Sequence, residues 1–173
     1  MRATAGVGPS YFHLNIDGGD PIYRERVYCY ELYHQMRLFW PDHTEFYLNG
    51  EIDKAAHPIL RNLGANYTKP DLLVHKPGYM EGNYAIIEVK SPKANVHGIQ
   101  KDLKTLSLFK SKVYYKRAIY LIYGYEAADV VKKVVRIAEE CQELEEIELW
   151  LHQNPGESAT HNTTLRRKIS CRR

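Results

Sequence analysis

A mixed α/β fold, one central sheet flanked by helices, is predicted by three features of the sequence. Apolar residues recur at three and four between Val96 and Lys112, which is helical spacing. The run YKRAIYLIYGY at 115–125 is apolar almost throughout, as a strand covered on both faces would be. Two further strand-like runs, YTKPDLLVH at 67–75 and YAIIEVK at 84–90, are separated by the turn-rich KPGYMEGN and read as a hairpin. Helices and strands interleaved in this way bury their apolar faces as layers over one sheet.

Each element follows in order. Residues 1–19 carry Gly, Ser and Thr and are expected as a flexible N-terminal arm. Pro21 suits a helix first turn, and IYRERVYCYELYHQMRLF continues without Gly or Pro until WPD stops it. EFYLNGEID reads as a short strand, and 58–63 as a helical turn ended by Gly64. After the hairpin and the helix over 96–112 come the strand at 115–125, an amphipathic helix in AADVVKKVVRIAEECQ, and a last strand in IELWLHQ. Residues 20–153 thus form one domain, and 154–173, without apolar period, are expected as a disordered basic tail.

With 173 residues the chain suits a single domain with a sizeable core. Its formal charge of +3 is too small to argue for nucleic acid, but its distribution is uneven. Between Val89 and Arg117 stand eight Lys and Arg with Asp102 as the only acid, whereas 139–148 holds six Glu and no base. The three cysteines are odd in number and far apart, which fits neither a disulfide framework nor a zinc site. The first residues lack the apolar core of a secretory leader, and no run approaches the roughly 20 apolar residues of a membrane span. A cytoplasmic protein with no membrane partner is the expectation. Walker and dinucleotide glycine loops, HExxH and the nucleophile elbow are all missing from the sequence.

The hairpin carries the candidate chemistry. Side chains alternate along a strand, so Tyr84, Ile86, Glu88 and Lys90 share one face. Pairing His75 with Tyr84 sets Asp71 opposite Glu88, with Cβ atoms about 5 Å apart. Two carboxyls that close raise each other's pKa unless a positive charge intervenes, and a divalent cation and the Lys90 ammonium are the two candidates. Mg²⁺ takes oxygen ligands and keeps waters, so two carboxylates and a substrate phosphate make a plausible shell, with Mn²⁺ as substitute. A bound water near a lysine is then a candidate nucleophile for a phosphodiester.

Pro70-Asp71 followed by Glu88-Val89-Lys90 resembles the PD-(D/E)xK nuclease superfamily, which includes restriction enzymes, archaeal Holliday junction resolvases and RecB-type nucleases. The resemblance covers roughly residues 21–123 and implies a restriction-endonuclease-like sheet of core order αβββαβ, here with an added helix and strand. It implies a Mg²⁺-dependent nuclease acting on DNA, with Asp71 and Glu88 as metal ligands and Lys90 orienting the attacking water. Members often complete the site with an acid from the preceding helix. Glu31 is preferred for that part because it interrupts the inward-looking stripe of Val27, His34 and Leu38. Glu25, flanked by Arg24 and Arg26, suits exposed ion pairing, and Glu51 and Asp53 in NGEIDK are third candidates. RecB-like members also use a glutamine in the next helix, a part that Gln100 matches by type and rough position. Lys93, Lys101 and Lys104 are expected phosphate contacts. Many members pair to cut both strands, so the resemblance allows a homodimer or a larger nuclease assembly. The alternative is a non-catalytic nucleic-acid- or protein-binding module on an inactive nuclease-like scaffold.

Overall fold

The computed structural model describes residues 1–51, 62 and 69–167. Apart from residue 62, the helical turn expected at 58–63 lies outside them, as does the candidate acid Asp53. A six-stranded mixed sheet organises the chain, in spatial order β3 (Tyr47–Gly50), β4 (Leu72–His75), β5 (Asn83–Lys90), β6 (Arg117–Tyr123), β7 (Ile147–His152) and β8 (Thr160–Leu165). The pairs β3–β4, β4–β5 and β7–β8 are antiparallel, whereas β5–β6 and β6–β7 are parallel. Parallel neighbours need crossovers, and two helices supply them: α3 (Val96–Lys112) between β5 and β6, and α4 (Val131–Glu140) between β6 and β7.

Both faces of the sheet are covered, which is why β5 and β6 read as nearly continuous apolar runs. On one face Leu73, Ile86, Tyr120 and Ile122 pack with Ile99, Leu103 and Leu106 of α3 and Val134 and Ile137 of α4. On the other, Leu72, Ile87, Val89, Ile119, Leu121 and Tyr123 pack with Tyr28, Cys29 and Leu32 of α2 (Glu25–Leu38). The alternation of side chains along β5 therefore sends Ile87 and Val89 to α2, and Ile86, Glu88 and Lys90 to the α3 side.

Three terminal expectations are corrected. The N-terminal residues are packed rather than loose: α1 (Pro9–Phe12) and a preceding 3₁₀ turn bury Ala3, Thr4, Val7 and Phe12 against the α2 face. Apolar side chains spaced along Gly-rich sequence gave no period, yet each fills a gap in the larger core. Pro21 opens no helix. It lies in β2 (Gly19–Ile22), which forms a small antiparallel hairpin with β1 (Leu14–Ile16), and α2 starts only at Glu25. The tail expected over 154–173 instead supplies β8, whose mostly polar side chains suit an edge strand and hide it from an apolar-period reading, while its last part, 168–173, lies outside the described residues. Among the described residues no helix is long and apolar enough to cross a membrane.

Candidate functional site

Strand pairing builds the site. In the β4–β5 ladder Leu72 pairs with Ile87, Leu73 with Ile86 and Val74 with Ala85. Continued one residue past β4, this register sets Asp71 opposite Glu88. A bulge after Val74 pairs His75 with Asn83 rather than with Tyr84, but it lies at the far end of the hairpin and leaves the Asp71 end unshifted. Beyond the last ladder pair the Asp71 side chain takes over a backbone role: its Oδ2 accepts the Val89 N–H at 2.7 Å. That bond fixes the carboxylate toward β5.

Glu88 is an acid within an otherwise apolar strand, only 5 % exposed. Burial first, and then the charges of Asp71 and Asp102, push its carboxyl well above the usual range, with Lys90 opposing. Asp71 is also raised, by burial above all, against the Val89 hydrogen bond and Lys90. The two carboxyls share a hydrogen bond that favours the ionised form of Asp71 and the neutral form of Glu88. Burial therefore opposes the ionisation of both carboxyls, of Glu88 the more strongly.

Lys90 completes the cluster from the end of β5. Its Nζ donates to Glu25 Oε2 at 3.1 Å and stands 3.4 Å from Asp102 Oδ2. Burial alone would lower this ammonium, but Asp102, Glu25 and Asp71 together outweigh it and hold the pKa above its ordinary value. Burial lifts Asp102 to about 6 despite Lys90. Glu25 is steadied further by the backbone N–H and hydroxyl of Ser91, both donating to Oε1 at 3.2 and 3.4 Å.

The α2 acid that reaches the cluster is thus Glu25 and not Glu31. Along α2 the buried stripe runs through Tyr28, Cys29 and Leu32, and Glu25 stands one turn before Cys29, so it extends that stripe to the sheet's edge. Glu31 lies on another flank, where its carboxylate accepts the Gln35 amide at 2.7 Å. Glu51 is also elsewhere, paired with Arg26 at 3.0 Å on the surface.

Sequence reasoning missed Asp102 and Tyr120. Asp102 is buried on the α3 face of Ile99, Leu103 and Leu106, and the signal was available: it is the one acid in a lysine-rich stretch, at core spacing. Tyr120 pairs with Glu88 across β5–β6, its hydroxyl is buried without a hydrogen-bond partner, and burial and then the four acids raise its pKa far above the ordinary value. Nothing in an apolar strand marks one tyrosine among several. Cys29 also adjoins the acids, but burial and their charges hold its thiol well above the ordinary value, which removes it as a nucleophile.

The four predicted nucleic-acid contacts separate. Lys93 lines a cleft of about 250 Å³ with Glu25, Lys90, Ser91, Asn95 and Gly98, directly beside the cluster. Gln100 and Lys104 instead line a groove of about 990 Å³ on another flank of α3, rimmed by Glu140, Glu143 and Glu145. Two residues along a helix turn a side chain by about 200°, so Gln100 faces away when Asp102 faces the cluster. Lys101 is exposed.

Asp71 and Glu88 are the pair that could hold a hard divalent cation. They are oxygen donors on neighbouring strands, already in mutual contact; burial opposes the ionisation of both, and the charge of Asp71 further opposes that of Glu88. Among the described residues no group of three or more His, Cys, Asp or Glu is arranged to hold a metal ion. A Mg²⁺-like ion fits such a two-carboxylate donor set, because it commonly keeps several waters and takes substrate phosphate oxygens. Comparison with protein-family models, with curated proteins and with solved structures finds no match to this chain.

Proposed function

We propose that the chain is a Mg²⁺-dependent nuclease that hydrolyses DNA phosphodiester bonds. The observation that carries this reading is the opposition of Asp71 and Glu88 on adjacent antiparallel strands, with Lys90 on the same face two residues further on. The run α2, β3, β4, β5, α3, β6 supports a restriction-endonuclease-like core.

Asp71 and Glu88 would hold the ion. When bound, it supplies Lewis-acid charge stabilisation at the attacked phosphate. The Val89 N–H keeps the Asp71 carboxylate aimed at Glu88. Glu25 and Asp102 hold Lys90 as an ammonium, and since a general base of this type needs a lowered pKa, its part is to orient water and substrate oxygen electrostatically. Glu25 acts through Lys90 and is a positioning residue.

The test is incubation of supercoiled plasmid, linear duplex, single-stranded DNA and RNA with the protein in Mg²⁺ or Mn²⁺. Lys90→Ala and Asp71→Ala are expected to lower cleavage about 10²-fold or more, the scale of losing one electrostatic group at a reacting centre. Glu31→Ala should leave it within about twofold, since its carboxylate serves Gln35. One observation favours a second reading, a non-catalytic binding module: both acids nearest Lys90 already satisfy its charge. Calorimetric titration with Mn²⁺ separates the two. Heat of binding that vanishes in Asp71→Ala supports the nuclease, and no binding together with no cleavage supports the module.

A further inference from the structure

Next to the carboxylate cluster three aromatic rings from distant parts of the chain meet. His13, from the turn after α1, stacks on Tyr23, just ahead of α2, with centroids 4.3 Å apart and planes 20° from parallel. Tyr125, from the loop after β6, meets His13 edge-on at 5.8 Å and is 49 % exposed. The rings are fixed as a unit: the Tyr23 hydroxyl donates to Glu126 at 2.5 Å and accepts the Tyr125 N–H at 3.1 Å.

Their location is set by close packing. Gly124 adopts φ 135°, and a Cβ there would lie 2.7 Å from the Pro92 ring and 3.1 Å from Tyr23. Pro92 follows Lys90 by two residues and Tyr23 precedes Glu25 by two, so the shelf abuts the cleft that holds Lys90 and Lys93. Glu126, the acid on the shelf, is engaged by the Tyr23 hydroxyl and lies within the field of Lys93. An exposed ring beside lysines offers what single-strand binding sites combine, a π-face for a base and cations for the backbone.

We infer that His13, Tyr23 and Tyr125 form a stacking shelf for an unpaired nucleobase, and that the chain takes single-stranded nucleic acid into the Asp71–Glu88–Lys90 site. The ligand class rests on the nuclease reading above. In a duplex each base is already stacked on both faces, so a shelf of this kind engages only splayed or single-stranded chain.

Fluorescence anisotropy in EDTA, where no hydrolysis occurs, tests it with labelled oligothymidylate, an abasic oligomer of the same length and a blunt duplex. Wild-type protein is expected to bind oligothymidylate about tenfold more tightly than the abasic strand, the scale of one stacked base. Tyr125→Ala should remove that margin and leave abasic binding unchanged, while Tyr125→Phe, which keeps the ring, should retain it. Equal affinity of the wild type for the two strands overturns the proposal, whether or not Tyr125→Ala folds. So does an unchanged margin in a folded Tyr125→Ala. Base-dependent binding without cleavage in Mg²⁺ or Mn²⁺ would sink the nuclease and leave the shelf, whereas cleavage with base-independent binding would do the reverse.

Discussion

Glu88 ionises against burial, against Asp71 and against Asp102, and only Lys90 helps it. A carboxyl whose pKa is raised by folding contributes stability that is fully present below its unfolded value and is lost as pH rises through the folded one. For Glu88 that loss begins above 4.5, and Asp102 adds a loss of the same sign between 3.8 and about 6. Lys90 is raised too, but from 10.5, so its contribution stays intact across this window. Buried His152, held down to about 4, contributes stability that grows as pH rises over part of the same range. The Glu88 contribution is therefore read as the difference in slope between wild type and a Glu88 variant in metal-free protein between pH 5 and pH 8. Glu88→Gln should lose less stability across that interval than the wild type and exceed it in melting temperature at pH 8, read by circular dichroism in EDTA. Parallel slopes for the two proteins would show that Glu88 ionises freely. The choice between Glu25 and Glu31 belongs at this scale as well. Flanking arginines suggest an exposed role for Glu25, but Arg26 turns to Glu51, and Glu25 is left to Lys90 and Ser91.

Two loops at the ends of β5 and β6 do what neither strand could do alone. Ser91-Pro92 carries Lys90 into contact with Glu25, and Gly124 allows the loop after β6 to close directly on Pro92. A left-handed backbone with no room for a methyl group leaves glycine as the fitting residue. Gly124→Ala should cost about 1–3 kcal/mol from backbone strain alone, measured by urea unfolding, and should displace Tyr125 from the shelf. A variant as stable as the parent would mean that this loop is free to move away from Pro92. The helices show the same dependence on context. α3 has Asn95 as N-cap, its side chain accepting the Gly98 N–H at 2.8 Å, and its apolar spacing, with Asp102 inside it, is visible in sequence; that Asp102 reaches Lys90 is not.

Across the whole molecule, the first twelve residues hold the α2 layer to the sheet. Phe12 is fully buried and meets Tyr28, Tyr123 and His152 edge-on, at centroid distances of 6.2, 5.8 and 4.9 Å. Tyr28 in turn shares a 2.7 Å hydrogen bond with the buried His152 Nδ1 and stacks on Tyr123 at 3.9 Å. Thr4 ties the same layer to the chain's other end, its hydroxyl accepting the Ala159 N–H at 2.6 Å. Phe12→Ala should cost about 3–5 kcal/mol in chemical denaturation, as for other buried aromatics. A flexible arm would show almost no loss.

The mixed α/β architecture, the helix at 96–112 and the opposition of Asp71 to Glu88 were legible from the chain itself. Period and pairing are local, and strand alternation carries a register from one residue to the next. The ends of the molecule were not legible, because Phe12 and the polar strand β8 acquire their role only from what they pack or pair with. The partners of Lys90 were decided by tertiary structure too. Which acid reaches an ammonium depends on how α2 and α3 are rotated against the sheet, and that rotation is fixed by the buried faces of both helices together.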